Sequence, residues 1–151
     1  MSKHVRQQLR EAVVTKLKTI SVFGNRVYPF RTRKVITLPD VVVFIPEETV
    51  IPDETTWGVT PAANVETREA TLAIAVRQKE NDTLDDTLDG YCLLIEAAMM
   101  VDESFGGILK NLRLENTEIT LSGEGEKPIG MVVLTYKAMY RAARNAPGTT
   151  V

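Results

Sequence analysis

Apolar residues recur along this chain with two spacings, one near 3.6 and one near 2, and the changes between them divide it into elements. From Asn81 to Leu109, Leu84, Leu88, Tyr91, Cys92, Ile95, Ala98 and Met99 fall on one stripe of a helix. Asp82, Thr83, Asp85 and Asp86 crowd its first turn, where short oxygen side chains cap free N–H groups and negative charge meets the positive helix end. The pattern ends this helix near Asp102 to Ser104, ahead of Gly106-Gly107. A first helix is predicted from a Ser2 cap to about Thr19, with Val5, Leu9, Ala12, Val13, Leu17 and Ile20 inward, and Phe23-Gly24-Asn25 turns the chain out of it.

Alternation marks the strands. In Thr67–Lys79, Leu72, Ile74 and Val76 point one way and Thr71, Ala73, Ala75 and Arg77 the other; that second face is small enough to be partly covered or left for another subunit. Ile129 to Ala142 is the longest strand, with Val132, Leu134, Tyr136, Ala138 and Tyr140 on one face. Leu112 to Leu121 is a strand with an irregular centre at Glu115-Asn116-Thr117, and Val41 to Ile45 is a short strand buried on both faces. Arg26 to Arg33 is extended and, holding Pro29, belongs at an edge. Residues 47–65, rich in proline and threonine, read as a long flexible loop, with a hairpin around Ile51-Pro52-Asp53 as one form of it. Ser122 to Lys127 reads as an acidic turn, and the polar tail from about 143 to 151 as mobile. The predicted fold is α+β: a single domain with a mixed, mostly antiparallel sheet and two main helices packed on one face.

At 151 residues the chain suits one domain. With 18 Lys plus Arg against 20 Asp plus Glu it carries −2 formal charge, which gives no reason to expect specific nucleic-acid binding. No apolar run reaches the ~18 residues of a membrane span, and MSKHVRQQLREAVV lacks a secretory core. A reducing cytoplasm is the expected place of synthesis. Cys92, the sole cysteine, lies on the apolar stripe and reads as a buried small hydrophobe.

Candidate chemistry is sparse. His4 is the sole histidine and sits at the start of the first helix, so sites built from several imidazoles are excluded. The glycines match neither phosphate-binding pattern. Asp82, Asp85, Asp86 and Asp89 share a helical face and present the one cluster suited to a hard cation, with a solvated, dipole-favoured outer face as the plainer reading. An enzyme needs convergent groups of different roles, and none is offered; no catalytic residue, metal or cofactor is expected.

The order of pieces carries a resemblance. VRQQLREAVVTKL, RVYPFRTR, LPDVVVFIP, TREATLAIAVRQK, DDTLDGYCLLIEAAM, FGGILKNLRLENTEITLSGEGEKPIG and MVVLTYKAMYR together resemble the tail terminator proteins of long-tailed bacteriophages, also called tail completion or minor tail protein U-like proteins. The likeness runs from about Val5 to Arg144, and its most telling pieces are the helix around Leu88–Glu96 and the GEGEKPIG turn before a strand ending in YR. It implies a ring of six that binds the last ring of tail tube, ends tube growth and presents a surface to a head-completion or connector protein. DNA passes through such a ring without specific recognition. It implies assembly in the host cytoplasm and a final place in the virion tail or neck.

A closed ring has heterologous interfaces, in which two different patches of one subunit fit each other. The expected patches are the basic segment with Arg26, Arg31 and Arg33 on one side and Asp85, Asp86, Asp89, Glu124 and Glu126 on the other. Trp57, the one tryptophan, sits in the long loop and suits a subunit contact; a core anchor is its other reading. The competing functions are another neck component, namely a head–tail connector or head-completion protein, and a small metal-dependent enzyme using the aspartates.

Overall fold

The computed structural model describes residues 2–30, 37–53, 64–79, 81–122 and 129–151. Its elements are helix α1 (Val5–Leu17), strands β1 (Val27–Tyr28), β2 (Asp40–Pro52) and β3 (Val65–Lys79), helix α2 (Leu84–Met99), and strands β4 (Asn111–Ser122) and β5 (Ile129–Ala143). The strands form one five-stranded sheet in the order β1-β2-β3-β5-β4. Only the β1–β2 pairing is parallel. The fold is α+β and a single compact domain, as the patterning predicts.

β3 and β5, 15 residues each, pair antiparallel without a register shift from Val65↔Ala143 to Lys79↔Ile129. That register aligns Leu72, Ile74 and Val76 with Tyr136, Leu134 and Val132 on one face, where all six are buried. Both helices lie on this face: α1 against β1 and β2, α2 against β3 and β5, and each against the other. The stripe read from the sequence is the buried one, with Leu84, Leu88, Cys92, Ile95 and Met99 inside and Tyr91 and Ala98 half-buried beside them. On the opposite face Ala73 lies between Phe44 and Thr135, and Ala75 between Val42 and Val133. These larger neighbours shield the two alanines, so they are buried although no helix covers them.

The helix ends differ from the sequence reading. α1 is capped by His4, whose Nδ1 accepts the amide of Arg6 at 3.1 Å, and not by Ser2. In α2 the N-cap Thr83 makes no side-chain cap bond, and Asn81 Oδ1 instead accepts from the Thr83 amide and hydroxyl at 2.9 and 3.0 Å. Asp85 and Asp86 contribute as charges in the first turn. α2 stops at Met99, short of the expected end. Beyond the Met100 C-cap the helix does not resume, because the Asp102 carboxylate draws in the amides of Ser104 and Gly106 that a continuing helix would give to its own carbonyls. The Ser104 hydroxyl first, and then the amides of Gly106 and Ser104, hold its pKa below the usual carboxylate range. The chain then reverses through Phe105, Gly106 and Gly107, all at positive φ, with the buried Phe105 ring as anchor.

Two segments expected to be irregular are ordered into the sheet or tied to the body. β2 continues past Ile45 to Pro52, through a bulge between Phe44 and Glu47, so residues 47–52 belong to a strand and not to the loop. Pro46 and Pro52 are tolerated because β1 pairs only with Val41 and Val42, leaving the outer edge of β2 without a described neighbour strand that would need their N–H groups. The tail is held as well. Pro147 O accepts the Val5 amide at 3.0 Å, Gly148 O accepts Gln8 Nε2 at 2.7 Å, and Thr150 bridges Ala142. The Pro147 carbonyl thus takes up a free backbone N–H at the open end of α1, and the Gly148 carbonyl a side-chain amide beside it. The irregular centre of β4 is a bulge between Leu114 and Asn116.

α2 meets β5 at its first turn, where a Cβ built on Gly130 would lie 2.6 Å from Leu84 Cδ2 and 3.1 Å from Leu84 Cγ. Gly130→Ala is therefore expected to destabilise the domain by about 1–3 kcal/mol through overpacking, and Leu84→Ala alone by about 2–5 kcal/mol through a cavity. Urea unfolding of the double variant should show a loss well below the sum, since the added methyl occupies the space vacated. Additive losses would mean that the two residues do not compete for one volume.

Candidate functional site

Three gatherings of described polar groups bear on a site: a buried ion cluster at one end of the sheet, a clamp at the start of β2, and the acidic flank of α2. At the first, Glu48 of β2 has a side chain only 3% exposed. Its Oε2 accepts from Arg6 Nη1 at 3.1 Å and from Arg68 Nη1 at 3.3 Å, while Oε1 accepts the hydroxyl of Tyr140 in a short hydrogen bond. Arg68 also donates to Glu66 Oε2 at 3.1 Å. Four elements or their neighbours meet there: α1, β2, β3 and β5. Burial is the main reason the Tyr140 hydroxyl is pushed far above its ordinary pKa, and the adjacent Glu48 adds to it. His4, whose Nε2 lies 3.4 Å from Arg68 Nη1, is pushed below its usual value first by burial and then by Arg6 and Arg68, with Glu48 opposing. Neutral His4 is the form that accepts from the Arg6 amide, so the shift keeps the cap in place near neutral pH.

This cluster was missed by periodicity, because Glu48 lies beyond the β-branched run that marks the start of its strand. It has an acid, a histidine and a tyrosine, yet each is committed to a structural partner. Such an arrangement closes the end of the core; it leaves no free nucleophile or base.

At the second place Arg77 grips Asp40 with two hydrogen bonds, Nε to Oδ1 at 2.8 Å and a shorter one from Nη2 to Oδ2. Arg26 acts nearby. Its Nε donates to Pro39 O at 2.8 Å and its Nη2 to Val22 O at 2.6 Å, tying the turn after α1 to the chain entering β2. Arg26 was expected to face a partner, but its guanidinium is half-buried and holds its own backbone. Arg31, Arg33, Trp57, Glu124 and Glu126 lie outside the described residues.

The third place holds the remaining predicted residues. Asp85, Asp86 and Asp89 are exposed on α2, and an open depression of about 330 Å³ at the helix start is lined by Asn81, Asp82, Thr83, Leu84, Asp85, Asp86 and Leu121. Among the described residues no group of three or more His, Cys, Asp or Glu side chains is placed to hold a metal ion. The aspartates continue as an acidic flank. Asp89 and Glu96 lie near Cys92, raising the pKa of a thiol that burial already raises more, and Glu96 does the same to Tyr136. Cys92 is a core residue, as its place on the stripe predicts.

Beside this flank the sheet is bare. Leu114, Ile119 and Leu121 of β4 share the helix-bearing face with Tyr136, Val132 and Gly130, their partners in β5, but all three are exposed. On α2 itself Leu93 and Leu94 are exposed, followed by Met100 and Val101. Such a row marks an interaction surface better than a reaction centre. No protein-family model matches the chain, and neither does any curated protein sequence.

The Glu48 cluster yields a direct test. Glu48→Ala leaves Arg68, whose side chain is 13% exposed, with Glu66 as its remaining carboxylate partner and takes the acceptor from the Tyr140 hydroxyl; it is expected to cost about 3 kcal/mol in urea unfolding, the low end for breaking a buried pair. Tyr140→Phe removes one hydrogen bond and is expected to cost about 1–2 kcal/mol. Equal, small losses would show that the cluster is solvated and does not close the core.

Proposed function

We propose that this chain is a structural morphogenesis protein of a long-tailed bacteriophage, a tail-terminator-like subunit. Copies assemble as a ring, expected to be a hexamer, on the end of the tail tube, halt tube polymerisation and offer a joining surface to a head-completion or connector protein. The observation that carries the reading is the exposed apolar row Leu114, Ile119 and Leu121 on an edge strand. It gives a small domain a surface for assembly, while Glu48, Tyr140 and His4 are bound up in the fold.

The ordered resemblance from Val5 to Arg144 supplies the tail context, and the α+β architecture agrees with what it implies. A catalytic role has less support. The aspartates of α2 face solvent without a second kind of reactive group beside them. The proposal places the protein in the host cytoplasm during assembly and in the virion neck afterwards, with no cofactor, no membrane and no sequence-specific contact to DNA.

Purified protein should be mixed with growing tubes made from the tail-tube protein of the same genome and followed by light scattering and electron microscopy. Rings on tube ends and arrested growth are expected. Tubes that lengthen unchanged, with the protein left in solution, would overturn the terminator role; binding to portal-side rings instead would move it to another neck position.

A further inference from the structure

His4 is the sole histidine of the chain, and helix, sheet and tail meet around it. Its ring caps α1, with Nδ1 accepting the Arg6 amide at 3.1 Å, while its carbonyl accepts the amides of Gln7 and Gln8 at 2.9 and 3.1 Å. One residue on, Pro147 O of the tail holds the Val5 amide. The Gln8 side chain then spans Lys3 O and Gly148 O, at 2.8 and 2.7 Å. Helix start and tail are therefore fastened through the same few bonds. Farther along, the tail returns to the sheet, where Thr150 bridges Ala142 and the Val151 amide donates to Arg141 O.

Among the described residues, charged and titratable groups reach this place from α1, β2, β3 and β5. Arg6 on α1 and Arg68 on β3 are cationic, and Arg68 Nη1 stands 3.4 Å from His4 Nε2. Glu48 on β2 is the opposing anion, but both its oxygens are engaged, Oε2 by the two arginines and Oε1 by Tyr140 of β5. Glu66 on β3 is taken up by Arg68 and, at 4.0 Å, by Arg144. Lys3 pairs outward with Glu11, and tail residues 145–149 bring no charge. A neutral imidazole accepts at a single nitrogen, and an imidazolium accepts at neither. Protonation thus removes the acceptor of the Arg6 amide and sets a third positive charge beside two guanidiniums. The ring is half-buried, and an open depression of about 490 Å³, lined by residues 2–4 and 145–149, brings solvent to it.

We propose that His4 is an acid-released clasp: protonation frees its ring from the first turn of α1, and the helix start and the tail loosen together while the sheet stays paired. The direction of the pH dependence follows from the same surroundings. Burial first, and then Arg6 and Arg68, hold the closed ring below the ordinary imidazole value of 6.5, with Glu48 opposing. The released ring, back in water, titrates near that ordinary value and takes up the proton more readily. The clasp is therefore fully closed above about 6.5, and it is lost progressively as pH falls below that toward the value His4 holds when closed. It stands whether or not copies assemble as a ring.

A nuclear magnetic resonance titration of the full-length protein tests this, because a sole histidine gives an unambiguous ring signal. From about pH 8 to 5, the ring is expected to titrate with a midpoint below 6.5. The amides of Val5, Arg6, Thr149 and Val151 should shift with that midpoint and lose order on its acid side, read as a fall in the heteronuclear Overhauser effect. Those of Leu72, Ile74 and Val76 should stay unchanged. His4→Asn keeps an oxygen acceptor at the N-cap and does not titrate, so its helix-start and tail amides are expected to stay ordered across the range. His4→Lys, a lasting cation without an acceptor, is expected to be loose at both ends of it. A ring midpoint at or above 6.5, the same amide transition in His4→Asn, or an ordered helix start in His4→Lys would overturn the clasp. Helix-start amides that loosen while Thr149 and Val151 stay ordered would overturn it as well, since release would then stop at the helix.

Discussion

The pairing of β3 with β5 is the constraint on which the rest of the structure depends. Its unbroken 15-residue register puts Leu72, Ile74 and Val76 beside Tyr136, Leu134 and Val132, and that buried platform carries α2. A one-residue slip would turn every one of these side chains to the opposite face, so burial itself fixes the register. α2 follows from it, since a helix leaving the end of β3 returns over β3 and β5 with its stripe down. Once α2 lies there and α1 covers β1 and β2, most of β4 is left uncovered: Leu112 is buried, but Leu114, Ile119 and Leu121 stay exposed. The exposed apolar row is thus a consequence of how two helices tile five strands.

The far end of the platform is closed by charge. Beyond Ala70 the helix-bearing face carries Arg68 and Glu66 in place of aliphatic residues, and Glu48, Arg6 and Tyr140 converge on them. Buried ions of this kind are costly to desolvate and add little net stability over an apolar core, yet removing one partner is severe. What the cluster supplies is position: it fixes the start of α1 over the sheet. The tail reinforces this, because Pro147 and Gly148 bond to Val5 and Gln8 at the same end. A Cβ on Gly148 would stand 2.8 Å from Lys3 O, so the approach of tail to helix needs a glycine.

Much of this fold is written in its periodicities. The buried faces of both helices, the inward row of β5 and the break in β4 are legible because each is a local repetition, or the interruption of one. What escaped is decided by neighbours. Residues 47–52 resemble a loop because Pro46, Pro52 and two glutamates disguise a strand; they are tolerated only because that edge of β2 lacks a described outer neighbour. Past the end of α2 the Asp102 side chain holds the following turn, which no apolar period reveals. The site was legible in part. The acids of α2 are visible as a helical face, but the apolar row beside them is set by strand order, and the carbonyls of Val22 and Pro39 that Arg26 holds are brought to it by the turn.

The central proposal is that the exposed apolar row on β4 is an assembly surface. Amide hydrogen exchange read by mass spectrometry on peptides covering Asn111–Ser122 tests it most directly, at protein concentrations on either side of assembly. The account predicts that amides between Asn116 and Ser122 exchange rapidly in the monomer and become protected in the assembled state, while those of β3 are protected in both. Assembly that leaves β4 exchange unchanged and protects another surface would contradict it.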